Sequence, residues 1–204
     1  MKKHKQNGRQ GRPRSFDLDQ ALTAALHVFW RKGYEGATLS DLTRAMRINR
    51  PSMYAAFGDK EHLFRKVLDR YDQEATAFMT EAMDEPTARR VVERLLSGAA
   101  KKLASPQGPR GCLNVQGALV CGDEAKNVRN ELIARREKRE TELRERLRKA
   151  KTAGDLPRES DPSELASFFI TVIQGMAVQA AGGATREKLR RVARTAMRSW
   201  PGNR

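Results

Sequence analysis

Apolar side chains recur at Leu18, Leu22, Ala25, Leu26, Phe29 and Trp30, three or four positions apart, the spacing of one face of a helix. Asp17 stands ahead of this run as a cap or first-turn acid, and Gly33 behind it as a stop. The next apolar set, Leu39, Leu42 and Met46, follows Thr38, a good N-cap with Asp41 three residues on. A second helix of about two turns is expected there. After Arg47, Ile48 and Asn49 the pattern predicts a third short helix over Arg50 to Phe57. Pro51 would take its first position, where a missing N–H costs nothing, and Gly58 would end it. Asp59 then caps a long fourth helix whose apolar face runs Leu63, Phe64, Val67, Leu68, Tyr71, Ala75 and Phe78.

Further along, Pro86 to Ala104 reads as a helix with Val91, Val92, Leu95, Leu96 and Leu103 inward, and residues 105–111, rich in Pro and Gly, read as a loop. A short apolar helix from Cys112 to Cys121 is followed by a charge-rich one from Asp123 to Ala153, with Val128, Leu132, Leu143 and Leu147 on its apolar side. The two last helices, Pro162 to Ala181 and Thr185 to Trp200, look like bundle partners. No alternating run of β-branched residues and no repeat of fixed period occurs. The expectation is an all-α protein of about nine helices: a basic arm over residues 1–15, a helical domain over 16–60 that carries the two short helices, and a second helical domain over 61–204.

Charge narrows the partners. The formal net charge is +15, and residues 1–60 hold twelve Lys+Arg against five Asp+Glu, so the N-terminal third is the denser cation. That favours a polyanion such as nucleic acid, or an anionic membrane surface. Residues 1–15 have almost no apolar content to offset the entropy of ordering, and are expected to be a flexible arm. No stretch approaches the roughly 18 consecutive apolar residues of a membrane span, and the basic start lacks a secretory signal's apolar segment, so a cytoplasmic protein without a membrane partner is expected. Cys112 and Cys121 are too few for a disulfide framework and lack zinc-ligand partners. His4, His27 and His62 have no nucleophile or carboxylate constellation around them, and the glycines form no phosphate-cradling loop. No enzyme, metal or cofactor is implied.

Two short helices joined by a tight turn on a basic segment form the pattern of a helix-turn-helix, whose second helix enters the DNA major groove. Arg50 could donate two hydrogen bonds to guanine, with Asn49, Ser52 and Tyr54 near the same end of the helix and Met53 and Phe57 turned inward. By pattern alone, a plain surface helix of a bundle would read the same way. The residues themselves go further. Gly-Arg-Pro-Arg at 11–14, Ala-Leu-His-Val-Phe-Trp-Arg-Lys-Gly-Tyr-Glu-Gly-Ala-Thr at 25–38, and Ile-Asn-Arg-Pro-Ser-Met-Tyr-Ala-Ala-Phe-Gly-Asp-Lys-Glu-His-Leu-Phe at 48–64 resemble the TetR/AcrR family of repressors almost without gaps from Arg12 to Phe64.

The resemblance implies that Thr38 and Lys60 contact phosphate, that Tyr54 reaches phosphate or groove, and that Asn49, Arg50, Pro51, Ser52 and Ala55 lie along the DNA. Arg12 and Arg14 resemble the core of arms that read a narrow minor groove; a solvated tail is the alternative. Where the family usually has glycine, this chain has Arg47, so either the turn is adjusted or the cation is tolerated near phosphate. The resemblance further implies repression of a palindromic double-stranded operator, release by a small-molecule inducer, and a homodimer paired through the last two helices. The competing function is a sequence-indifferent nucleic-acid coating protein, which the charge alone would suit.

Ligand-pocket candidates are Phe78, Met79, Leu103, Val115, Phe169 and Met176, each of which would serve equally as plain core. Cys112 follows Arg110 and Gly111 and is expected to open a helix, so that cation and dipole would favour a thiolate and a sensor of electrophiles or oxidants. The alternative is a small hydrophobe in the core. The charge-rich helix is read as a solvated face with intrahelical ion pairs.

Overall fold

The computed structural model describes residues 16–119, 122 and 125–202; Arg12, Arg14, Cys121 and Asp123 lie outside them. Among the described residues there are ten α-helices and no strands. They are α1 (Leu18–Gly36), α2 (Leu39–Met46), α3 (Arg50–Phe57), α4 (Lys60–Glu74), α5 (Ala77–Met83), α6 (Ala88–Lys102), α7 (Leu113–Leu119), α8 (Lys126–Thr152), α9 (Pro162–Ala181) and α10 (Arg186–Met197).

The caps account for most of these starts. Asp17 accepts from the backbone N–H groups of Asp19 and Gln20, Asp59 from that of His62, and Asp161 from those of Ser163 and Glu164. Thr38 and Asp41 form a reciprocal capping box at α2. Asn49 caps α3 by accepting from Ser52 N–H, which moves Pro51 to the second helical position instead of the expected first. Gly33, with φ 71 and ψ 176, does not end α1 but kinks it. The kink returns Tyr34 toward the core, where its ring lies 6.2 Å from Phe29 and 5.1 Å from Phe64.

The tenth helix comes from the expected fourth. It stops at Glu74, because the Thr76 hydroxyl donates back to the Asp72 carbonyl at 2.7 Å and the backbone at Thr76 leaves helical geometry. Phe78 therefore rides on α5, packed so closely on α6 that a Cβ at Gly98 would lie 2.4 Å from its ring. Cys112 precedes α7, its carbonyl accepting from Val115 and Gln116 N–H.

Two hydrophobic cores result. One gathers Phe29, Leu42, Met53, Phe57, Phe64 and Leu68 from α1 to α4, and α7 and α8 add Leu113, Val128 and Leu132. The other gathers α5, α6, α9, α10 and the second half of α8 around Leu95, Leu143, Phe169 and Trp200. Cys112 packs against both. By length and composition α9 is apolar enough to cross a membrane. It instead buries Phe169, Ile170, Ile173, Met176 and Ala180 against neighbouring helices.

Candidate functional site

The α2–turn–α3 unit is set by what it buries. Leu42 and Met46 of α2 and Met53 and Phe57 of α3 go into the N-terminal core, which turns the opposite side of α3 outward. Arg50, Pro51, Tyr54 and Ala55 are exposed there, Tyr54 at 47% although aromatic, and Ser52 is half-buried. Arg50 donates to the Ser40 hydroxyl at 3.1 Å, so its guanidinium lies across both short helices with donors to spare. Asn49 is exposed, but its carbonyl oxygen is engaged by the cap; its amide N–H₂ remains as the group facing outward chemistry.

Thr38 caps α2 and Lys60 begins α4. The Thr38 hydroxyl donates to Asp41 at 2.7 Å, and Lys32 pairs with the same carboxylate at 2.7 Å. The hydrogen bond from Lys32, reinforced by Thr38, holds the Asp41 carboxyl well below the usual carboxylate range. The box therefore stays ionised without presenting an unbalanced anion at the helix end. Lys60 lies over the Tyr34 ring at 4.6 Å and donates to Glu35 O at 3.4 Å. Partial burial draws its pKa down, and Glu35 opposes that.

Arg47 adopts a left-handed conformation, φ 55 and ψ 39, and Ile48 N–H closes onto Thr43 O at 3.1 Å. The turn is not adjusted to avoid the missing glycine; the arginine takes up the glycine's conformation.

A cavity of about 270 Å³ lies between the two cores. Of the candidates from the sequence, Phe78, Met79, Leu103, Cys112 and Val115 line it. Phe169 and Met176 do not: both are buried in the C-terminal core, Phe169 with its ring 5.9 Å from Trp200. They lie on the apolar side of α9 that fills the bundle, and periodicity cannot tell a core wall from a cavity wall. Other lining residues are ones the sequence reading did not name for the pocket. They include Trp30 of α1, Tyr71 of α4, Asn114 of α7, and Arg135, Arg136 and Arg139 of α8.

The expected solvated face of α8 is thus partly an internal one. Arg135 donates to Asp72 at 2.6 Å and to Asp69 at 2.6 Å, both on α4, and to Glu131 at 2.9 Å. Asp72 also accepts from Asn114 at 3.0 Å, and Arg139 reaches Thr76 at 3.1 Å. Arg146 donates to the carbonyls of Met83 and Glu85 at the end of α5. The clue in the sequence is faint: acids three residues apart on α4, and arginines four apart on α8, mark stripes but not which stripes meet.

Cys112 departs from the thiolate expectation. Burial pushes its thiol up, against the opposing hydrogen bonds from the Tyr71 hydroxyl and the Val115 and Asn114 N–H groups. Arg110, the cation expected beside it, donates instead to Gly183 O at 3.2 Å. Burial likewise raises Tyr71 well above its ordinary range.

Comparison with known proteins agrees with this geometry. The family model described as bacterial regulatory proteins, tetR family, matches residues 21–67, and the one described as tetracyclin repressor-like, C-terminal domain, matches residues 86–197. The HTH-type transcriptional repressor ComR of Escherichia coli is 34% identical over 194 residues, 94% of this chain and 92% of that protein. BdcR, an HTH-type transcriptional repressor of the same species, is 33% identical over 126 residues, 61% of this chain and 64% of its own. A cysteine mutant of the TetR-family regulator CifR, solved with 26-base-pair double-strand operator DNA, is 44% identical, with a TM-score of 0.90 over 93% of this chain and 100% of that one. A TetR regulator from a Rhodococcus species is 40% identical, with a TM-score of 0.62 over 91% of this chain and 99% of that one.

Proposed function

This chain belongs to the TetR family of DNA-binding transcriptional regulators, which are not enzymes, and from that premise we propose that it is a homodimeric repressor released from a palindromic operator by a small ligand. The observation that carries the DNA-binding half is the outward side of α3, where Arg50 and Tyr54 stand exposed while Met53 and Phe57 anchor the helix. A helix so presented enters the major groove with its N-terminal residues at base edges. Thr38 and Lys60 then meet phosphates on either side, and Asn49, Pro51, Ser52 and Ala55 lie along the duplex. Arg12 and Arg14 are assigned to the adjacent minor groove. That the similar regulator CifR was solved with double-strand operator DNA supports DNA binding as the role of this half of the chain.

Dimerisation follows from the same geometry, since two recognition helices must meet successive major grooves about 34 Å apart. Phe168, Val178 and Val192 on α9 and α10 are exposed at 42%, 48% and 37%, and Gly175 between them has open space above it. Apolar side chains left in water by the monomer fit a pairing face through these helices.

The sensor half rests on α4. Its first residue is Lys60, and Tyr71, near its other end about 16 Å away by helix geometry, lines the cavity. A ligand that binds one setting of α4 better than another shifts the spacing of the recognition helices by that difference in affinity. Phe78, Met79, Leu103, Val115 and Cys112 supply the contacts. A cytoplasmic site of action is part of this reading.

Selection of bound sequences from a random DNA pool, with wild type beside Arg50→Ala and Tyr54→Ala, tests it. One enriched palindrome is expected, with Arg50→Ala costing roughly 1–3 kcal/mol and relaxing one base position. Binding that varies only with salt and enriches no motif would instead establish the coating function.

A further inference from the structure

The cavity is unevenly charged. Arg135 is saturated by Asp69, Asp72 and Glu131, Arg139 is held by Glu142 at 3.0 Å, and the lining carboxylate Glu74 pairs with Arg70 at 2.9 Å. Arg136, next to Arg135 on α8, also lines the cavity. It is half-buried, and no ion pair or hydrogen bond engages it among the described residues. The lining therefore carries a guanidinium that no neighbouring carboxylate balances.

Resting on the reading of this cavity as the ligand site, we propose that its ligand is a small organic monocarboxylate with an apolar body. A carboxylate matches the planar fork of one guanidinium through two parallel hydrogen bonds, and Arg136 is one such fork. The charge favours a monoanion: a phosphate or polyphosphate would need further free cations, and the only other lining Lys or Arg without a carboxylate partner among the described residues is the exposed Lys102. A low-dielectric enclosure strengthens the pairing and disfavours cationic ligands of the same shape. Phe78, Leu103 and Ile173 give the cavity apolar lining, and about 270 Å³ suits a single ring or a short branched chain. Trp30 Nε1, buried without a hydrogen-bond partner, belongs to another lining residue and is a second donor in the same cavity.

The test uses the full chain and three probes of one shape: benzoate, the neutral benzamide and the cationic benzylamine, each titrated by calorimetry. Benzoate is expected to bind at least tenfold tighter than benzamide, and benzylamine more weakly still. Arg136→Gln should bring benzoate down to the benzamide level without moving benzamide, and Arg136→Lys should restore part of the difference. Circular dichroism checks that each variant is folded. Benzamide binding as well as benzoate, with Arg136→Gln silent and a cavity-filling Ile173→Trp abolishing both, would overturn the carboxylate assignment and leave the cavity as a ligand site. Benzoate binding that survives Ile173→Trp, or no binding by any probe, would overturn the cavity reading and the proposal with it.

Discussion

Arg47 occupies a left-handed turn between α2 and α3 at φ 55, a conformation in which its Cβ crowds the following carbonyl. Its side chain is exposed, so little packing offsets that strain. Arg47→Gly is expected to stabilise the fold by roughly 0.5–1 kcal/mol, the relief of strain exceeding the added freedom of the unfolded chain; thermal denaturation measures it. Cys112 illustrates the opposite influence, of surroundings on chemistry. Burial raises its thiol pKa, so the reactive thiolate forms only as the pH rises beyond the ordinary thiol range. In a Cys121→Ser background, alkylation by iodoacetamide should be slower at neutral pH than for a free thiol and should accelerate only in alkali. Rapid alkylation at pH 7 would restore the sensor thiolate that the sequence suggested.

At the scale of helices, Arg135 of α8 grips Asp69 and Asp72 of α4, with Asn114 of α7 on the Asp72 carboxylate, beside the apolar contact of Val128 and Leu132 with the N-terminal core. The guanidinium is only partly shielded, which tempers the electrostatic gain, yet its three carboxylate partners hold it in one orientation. Arg135→Met should destabilise by about 1–3 kcal/mol, since it leaves clustered carboxylates without their cation. Asp72→Asn should cost less, and the double variant should fall short of the sum by on the order of 1 kcal/mol in urea unfolding. Strict additivity would mean the two helices are joined by packing alone. On the proposed sensing reading the same helix pair carries the signal between cavity and DNA, so these variants should also alter how strongly ligand affects operator affinity.

For the whole molecule the proposed operative unit is a pair of chains. The apolar residues exposed on α9 and α10 are on the helices of the C-terminal core, far along the chain from the recognition helix. Phe168→Glu with Val178→Lys should give monomers in sedimentation experiments and little change in the monomer's circular dichroism, because neither side chain fills the core. Operator affinity should fall by more than tenfold as the second half-site contact is lost. A double variant that stays dimeric would move the interface elsewhere.

The helix starts were legible because caps are local: Asp17, Thr38 with Asp41, and Asp59 each act within one turn, and the sequence carries the whole interaction. For the same reason α3 was delimited correctly from Asn49, Pro51 and Gly58, and the exposed residues on it were open to inspection. Local pattern failed at Ala75 and Thr76, where a side-chain hydrogen bond and the turn into α5 broke a periodicity that continued through Phe78. It failed again wherever partners are distant. Whether an arginine on α8 meets water or Asp72, and whether an apolar residue on α9 walls a cavity or fills a core, depends on contacts between segments some sixty residues apart. Sequence determined where most helices start and which residues of α3 turn inward, since both rest on near neighbours. Only the tertiary structure decided the ion cluster, the neutral thiol and the unbalanced charge of the cavity, because burial and Coulombic pairing are properties of the packed chain.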